Sequence, residues 1–424
     1  MAIMQLTSTN PDLSFILKKN PASGMQIRSM RKGISYGWYA APSTYAIYFQ
    51  DADHEVSYRK AKENTYGYVN VSRYNSPLFP LNAISEYFGT VVKNQHEKDK
   101  EGYQHECNIQ LVHIDFVHYV SLFDQYFEGF SIEVKLLVHK SYQLTIRTSS
   151  SLHELMMFTS LLFLFLSMLS EEYMDVTDGI IVKYIDYMNK LDAPYFIRYL
   201  FARNVLSDRK LFQKYKGELE KTNRHQVTLQ YGGTAIQRRD AIKGKLSFTR
   251  AIVDVGSGEG FYAIPFAKKT EPQFYYAIDI SEHALSIVNK KAEQAELENI
   301  LTYPSLDTFL TTYEDEPVDI ICTEVIEHML KEEAEDFLQQ MLSQLAFETC
   351  IITTPNADFN QFYALDNYRH DDHKWEMSTE EFQSWMGSLL GDEYRYEYFQ
   401  IGDSVDGISI TQGVHISQKG GEGA

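Results

Sequence analysis

Residues 251–261 read AIVDVGSGEGF, and this stretch decides the fold of the C-terminal part of the chain. An apolar run ends at Asp254, the glycines Gly256, Gly258 and Gly260 follow, and a helical pattern opens near Tyr262. Glycine at these places lets the backbone approach a ligand that side chains would block. A second apolar run ends at Asp279 (YYAIDIS), 23 positions beyond Gly256. An acid there can accept hydrogen bonds from both hydroxyls of a ribose. Working outward, strand-like runs recur at Ala251 to Val255, Phe274 to Ile278, Val318 to Thr323 and Cys350 to Thr354, with helical patterns between them. That alternation predicts an α/β domain with a doubly wound, mostly parallel sheet.

Upstream the style differs. The first 150 residues carry strand-like runs such as Ser43 to Phe49 and Ile109 to Phe116, rich in aromatic and β-branched residues. Leu152 to Leu219 reads as mostly helical, in the pieces Leu155 to Leu169, Ile180 to Leu191 and Phe196 to Leu219. Gly232-Gly233, in a polar stretch, marks a boundary. The expected organisation is an α+β N-terminal domain over 1–232, the α/β domain over 233–418 and a frayed tail over 419–424.

A chain of 424 residues accommodates two or three domains. Its hydrophobic fraction of 44% and charged fraction of 23% are ordinary for globular protein. Cys107, Cys322 and Cys350 lie far apart and form no CxxC pair, so a reducing cytoplasm is expected. The opening MAIMQLTSTNPD has no basic-then-apolar pattern. Leu155 to Leu169 is almost wholly apolar but only about 15 residues long, against the roughly 20 a spanning helix needs. Flanked by Glu154, Glu171 and Glu172, it reads as a buried core helix, and no membrane partner is expected. The net charge of −19 argues against broad nucleic-acid binding. Local basic density exists in Arg198 to Arg224 and at Arg238, Arg239, Lys243, Lys245 and Arg250. It fits a narrow RNA-end site and a solvated helix face equally well.

A dinucleotide loop needs G-x-G-x-x-G/A, and counting from Gly256 the last position is Phe261. The D-x-G-x-G-x-G spacing instead resembles motif I of class I (Rossmann-like) methyltransferases, which implies S-adenosylmethionine. That cofactor carries a cationic sulfonium and an amino group, which suit the acids Asp254 and Glu259 better than a phosphate would. Ile321 to Leu330 (ICTEVIEHML) then follows an apolar strand. If Glu324 begins a helix, Glu327 and His328 fall three and four residues on and share its face. His370 to Glu376 (HDDHKWE) offers a further imidazole. Two carboxylates and two imidazoles form a mixed site that suits Mn²⁺, Fe²⁺, Co²⁺ or Zn²⁺ better than Mg²⁺. A solvated acidic patch is the plainer alternative, but strand ends are where an α/β sheet places its site.

Asp254 to Gly260, Glu324 to His328, Thr353 to Asn360 (TTPNADFN) and Arg369 to Phe382 (RHDDHKWEMSTEEF) occur in one order and spacing. In these the chain, over Gln237 to Gln412, resembles the Hua-enhancer family of RNA 3′-terminal ribose 2′-O-methyltransferases. The resemblance implies Glu324, Glu327, His328 and His373 as ligands of one divalent ion, with Mn²⁺ favoured and Mg²⁺, Co²⁺ or Zn²⁺ allowed. It chooses His373 over His370 and gives Glu327 and His328 the catalytic role. It implies Asp254, Gly256, Ser257, Gly258, Asp279, Ser281, Ser305 and Leu306 around S-adenosyl-L-methionine. It implies Gln237, Arg238, Asn356 and Arg369 at the RNA 3′ end. Departures are Ser257 where many members have Cys, Trp375 and Met377 in place of Phe and Trp, and the stretch Asp307 to Phe309. Asp12 to Pro21 (DLSFILKKNP) and Tyr68 to Pro80 (YVNVSRYNSPLFP) resemble the family's bacterial branch. That branch works in RNA repair with a polynucleotide kinase–phosphatase–ligase, which implies a docking or ligase-activating N-terminal domain.

The expected chemistry follows. A divalent ion lowers the pKa of a bound hydroxyl, and a terminal ribose alone presents adjacent free 2′- and 3′-hydroxyls, so ion binding would also select the RNA end. Two rivals remain at this point: a class I methyltransferase for a small molecule or protein, and a non-catalytic scaffold subunit. The first has no use for the paired EVIEH and DHKWE motifs, and retention of all the cofactor and metal positions argues against the second.

Overall fold

The computed structural model describes residues 2–30, 33–51, 75–170, 176–206, 208–363 and 368–418. Tyr68 to Tyr74, Glu171, Glu172 and the tail 419–424 lie outside them. The chain divides into two compact units, Met1–Arg224 and His225–Ala424. The division falls shortly before Gly232-Gly233. The intervening residues join the second unit through backbone pairing of Val227–Thr228 and a bond from Gln226 N to Asp406 Oδ1 of 2.7 Å.

In the first unit, β1 (Ala2–Ser8), β2 (Gln26–Met30), β3 (Gly33–Ala41), β4 (Thr44–Asp51), β5 (His105–His113), β6 (Phe130–Val138) and β7 (Ser141–Thr148) form an antiparallel sheet. Their order is β2-β3-β4-β1-β5-β7-β6. The expected strand Ile109 to Phe116 is offset: it starts at His105 and stops at His113, because Phe116 already opens the turn into the helix His118–Tyr126. The apolar segment is a helix of 18 residues, Leu152–Leu169, longer than its sequence pattern suggested. A reciprocal cap between Ser151 and Glu154 starts it, and the buried Asp99 carboxylate accepts from the N–H groups of Leu152 and His153 at 2.8 and 2.9 Å. A carboxylate there also faces the positive end of the helix dipole. Among the described residues this helix alone is long and apolar enough to cross a membrane, and 78% of it is buried. Phe196 to Leu219 is two helices, Tyr195–Val205 and Arg209–Leu219, because Asp208 caps the second through Leu211 N.

In the second unit, β8 (Val227–Thr228), β9 (Ile252–Val255), β10 (Tyr275–Ile278), β11 (Ile300–Tyr303), β12 (Val318–Thr323), β13 (Phe347–Pro355), β14 (Tyr394–Val405) and β15 (Ile408–Gln418) order as β11-β10-β9-β12-β13-β15-β14-β8. The run β11 to β13 is parallel, and β15, β14 and β8 add antiparallel to its edge. Strand alternation sorts the core onto two faces. Val253, Val255, Ile320, Cys322, Cys350 and Ile352 pack under Leu338, Met341, Phe382 and Trp385. Ile252, Tyr275, Ala277, Ile321 and Ile351 pack under Ile242, Phe266 and Val288. The strand order reverses between β9 and β12, so the loops leaving these two strands open onto a shared crevice at the sheet's C-terminal edge.

Candidate active site

The glycine turn leaves β9 at that crevice. Gly256 has φ +77°, and a Cβ there would stand 2.2 Å from Val325 Cγ2. Only glycine lets this turn pack on the segment leaving β12. Gly256 N and Ser257 N both donate to Ile278 O, at 2.8 and 3.0 Å. Asp279 follows β10 and closes the turn: Oδ2 accepts from Gly258 N at 2.7 Å and Oδ1 from Ser281 N at 2.8 Å. Each oxygen keeps a second lone pair. Asp254 lies beneath the turn, fully buried, with Oδ2 accepting from Tyr275 Oη at 2.5 Å. Burial pushes its carboxyl up to about 7. Asp254 Oδ1 and Ser257 Oγ are buried without a partner, and the Cα of Gly258 faces open space. These orphaned acceptors beside an open backbone fit a cationic, amine-bearing cofactor. Ser281 and Ser305 serve as helix caps through Ala284 N and Thr308 N. Leu306 is turned into the core.

The segment leaving β12 departs from the helix expected at Glu324. Glu324 sits at φ +56° and its N–H donates to Thr353 O at 2.9 Å, extending the β12–β13 pairing by one residue. Only Ile326–His328 then form a short 3₁₀ turn. No common helix face exists, and convergence comes instead from a second segment. Lys374 N donates to Glu327 O at 2.8 Å, and Trp375 Nε1 donates to Met329 O at 3.0 Å. These two bonds clasp the His373 loop onto the turn.

The result brings one ligand atom from each of Glu327, His328 and His373 within 4.8 Å of one another. Glu327 is fully buried; Oε2 accepts from Thr354 Oγ1 at 3.1 Å and Oε1 has no partner. Burial, then the neighbouring Glu324 charge, pushes its carboxyl well above the usual range. His373 Nδ1 meets the buried carboxylate of Glu376 at 2.6 Å, which leaves Nε2 for an ion. His328 Nδ1 lies 3.2 Å from Asp372 Oδ2, and burial lowers its pKa. The rings of His328 and His373 stand 4.9 Å apart at 84°. An orphaned carboxylate oxygen between two oriented imidazoles fits a borderline divalent cation. His370 is adjacent, its ring 5.2 Å from that of His373, but it is not in the group. Glu324 is also outside it: Oε2 pairs with Arg238 Nη1 at 2.8 Å, and Oε1 accepts from Thr353 Oγ1 at 3.3 Å.

The residues expected at the RNA are largely committed to the protein. Gln237 is buried, with Nε2 donating to Gln230 O, Gly232 O and Asp403 Oδ1. Asn356 is buried between Asp358 N and Thr379 Oγ1. Arg369 spends its guanidinium on Asn360 Oδ1 and the carbonyls of Ile410 and Asn356. In the structure these three act as struts of the loops, each bonded inside the fold. Arg238 bonds Glu324 and, through Nε at 3.1 Å, Tyr262 Oη, at the edge of the crevice. Sequence reasoning missed Glu376, Thr354 and the clasp. The carboxylate three residues after His373 was a readable signal, because a ligating histidine commonly donates its other ring nitrogen to a carboxylate.

Comparison with known proteins places this geometry in a family. The model of the Hen1 N-terminal domain matches residues 3–224, just over half of the chain, and a methyltransferase-domain model matches 249–403. A chain solved in a Pnkp1/Rnl/Hen1 RNA repair complex is similar over 98% of this chain and 100% of its own, with TM-score 0.80 and 27% identity. A small RNA 2′-O-methyltransferase of Xenopus tropicalis is 48% identical over 67 residues, 16% of this chain and 18% of that protein. One of Arabidopsis thaliana is 28% identical over 182 residues, 37% of this chain and 19% of that protein. The matched stretches thus span about a fifth of those curated relatives. With its first 224 residues matched almost throughout and a methyltransferase domain behind them, the chain belongs to the Hen1 family.

Proposed function

We propose that this protein transfers the methyl group of S-adenosylmethionine to the 2′-hydroxyl of the 3′-terminal nucleotide of RNA, with one divalent cation, in RNA repair. The observation that carries the reading is the convergence of Glu327, His328 and His373, with Glu327 Oε1 unpartnered, at the same strand-end crevice as the glycine turn. Two imidazoles with a carboxylate favour Mn²⁺ over Mg²⁺. Such a cation, when bound, makes a nearby hydroxyl more acidic.

The chain's own residues do the rest. Glu327, His328 and His373 would hold the cation, and either Glu327 or His328 would relay the single proton that leaves the hydroxyl. Glu376 and Asp372 orient the two imidazoles. Asp279 and the turn at Gly256 to Gly258 hold the methyl donor, with Ser281 and Ser305 as helix caps and Leu306 in the core fixing the loops beside it. Fixing donor and acceptor in one crevice supplies much of the acceleration. The repair setting is supported by the likeness to the chain solved with Pnkp1 and Rnl, and we infer a kinase–phosphatase–ligase partner in the cytoplasm.

The test is transfer of labelled methyl to short RNAs ending in a 2′,3′-diol, a 3′-deoxy or a 3′-phosphate ribose, with and without Mn²⁺. Turnover is expected only on the diol and only with the ion, and Glu327→Ala should abolish it. Equal turnover on all three ends, or an active Glu327→Ala enzyme, would point to another acceptor.

A further inference from the structure

Phe261 follows the glycine turn, yet the residue is 43% exposed, whereas the next residue, Tyr262, is buried. The Arg239 guanidinium carbon lies 5.2 Å from the centroid of the Phe261 ring. Arg238, one position earlier on the helix Thr234–Lys245, points inward to Glu324 and Tyr262. Two consecutive arginines therefore divide their work: one braces the crevice, and the other lies against one side of a ring that stays partly open to solvent. The ring belongs to the same contact chain as the crevice. Phe261 touches Tyr262 with centroids 5.5 Å apart, Tyr262 Oη bonds Arg238 Nε, and Arg238 bonds Glu324, three residues from Glu327.

An exposed aromatic face beside a guanidinium plane is the surface on which bases of a single strand stack. Stacking needs no phosphate neutralisation, which suits a chain of net charge −19. We propose that Phe261, with Arg239, is a stacking platform for the base of the penultimate nucleotide of the RNA. The terminal ribose is engaged at Glu327, so it is the neighbouring base that reaches Phe261. The inference rests on the RNA 3′-end reading above.

The experiment uses the full chain, Mn²⁺ and a short diol-ended RNA carrying 2-aminopurine at the penultimate position. Wild-type protein should quench that fluorescence on binding, and Phe261→Ala should not. KM for RNA should rise about tenfold in Phe261→Ala with kcat held within about twofold. Phe261→Trp should restore KM, and cofactor affinity by calorimetry should stay unchanged. An abasic penultimate position should raise KM for wild type and add nothing in Phe261→Ala. An unchanged KM in Phe261→Ala, quenching only with the probe at the terminal base, or a loss of cofactor affinity overturns the platform while wild-type turnover keeps the RNA reading. A wild-type enzyme inactive on diol-ended RNA overturns both.

Discussion

Glu376 shows how much of the site lies behind its ligands. Its buried carboxylate accepts from Arg369 N at 2.8 Å as well as meeting His373 Nδ1, so one side chain sets both the loop and the imidazole that would hold the proposed cation. Replacing it with Gln keeps the shape but removes the charge that orients His373. Glu376→Gln should weaken Mn²⁺ binding by roughly 10- to 100-fold in a calorimetric titration. Saturating Mn²⁺ should restore most of the turnover, and an unaltered affinity would remove Glu376 from the site. Asp254 poses a different cost. Burial raises its folded pKa to about 7, above that of the unfolded chain, so the native state holds the proton more tightly. Stability tied to this group is present below the ordinary carboxylate range and is lost as pH rises through about 7. Asp254→Asn cannot ionise. Without cofactor, its unfolding free energy should exceed that of wild type by a margin that grows from about pH 5 to pH 8, reaching on the order of 2–4 kcal/mol. A margin flat with pH would show that the carboxyl is solvated after all.

Four of the five parallel strands were legible because each is a short, largely buried apolar run, and Val318 to Thr323 came out with the bounds its composition implied; β11, half exposed, was not read. The turn after it was not. A helix at Glu324 was a local inference from spacing, and the bond from Glu324 N to Thr353 O, a partner 29 residues away, outweighed it. The long hairpin β14–β15 was also unread: its polar outer positions blur the alternation, and its place is set by pairing with β13. The pieces of the helical region were readable, but the residue that joins them was not. Arg198 is fully buried and donates to Ala193 O, Met188 O, Leu219 O and Asn189 Oδ1. It thereby satisfies carbonyls at the ends of the helices Asp178–Lys190 and Arg209–Leu219, where a positive charge also meets the negative end of each dipole. Arg198→Met fills the volume but leaves those acceptors dry. It should cost about 3 kcal/mol in urea unfolding of the full chain, and a loss under about 0.5 kcal/mol would mean that water replaces the guanidinium.

Charge decides how an acidic protein can hold RNA at all. The basic residues that stood out in the sequence are mostly neutralised in place: Lys214 pairs with Asp178, Lys216 with Glu220, Lys221 with Glu218, Arg224 with Asp192, Lys245 with Glu397 and Arg250 with Glu348. Arg198 is interior and Arg238 faces Glu324. Lys and Arg counts alone could not reveal this, because pairing is a property of the folded surface. Each of those ion pairs is individually weak where exposed, yet a phosphate would have to displace a carboxylate to use the cation. On the reading proposed above, affinity comes from the end itself, through the crevice and a stacked base, with few counterions released. Binding of a short diol-ended RNA by the wild-type protein with S-adenosylhomocysteine in place of the methyl donor, followed by anisotropy between about 50 and 200 mM salt, should therefore give a log–log slope of only about −1 to −2, equivalent to roughly two phosphates on a single strand. A slope steeper than about −4 would require a broad basic surface that breaks these pairs.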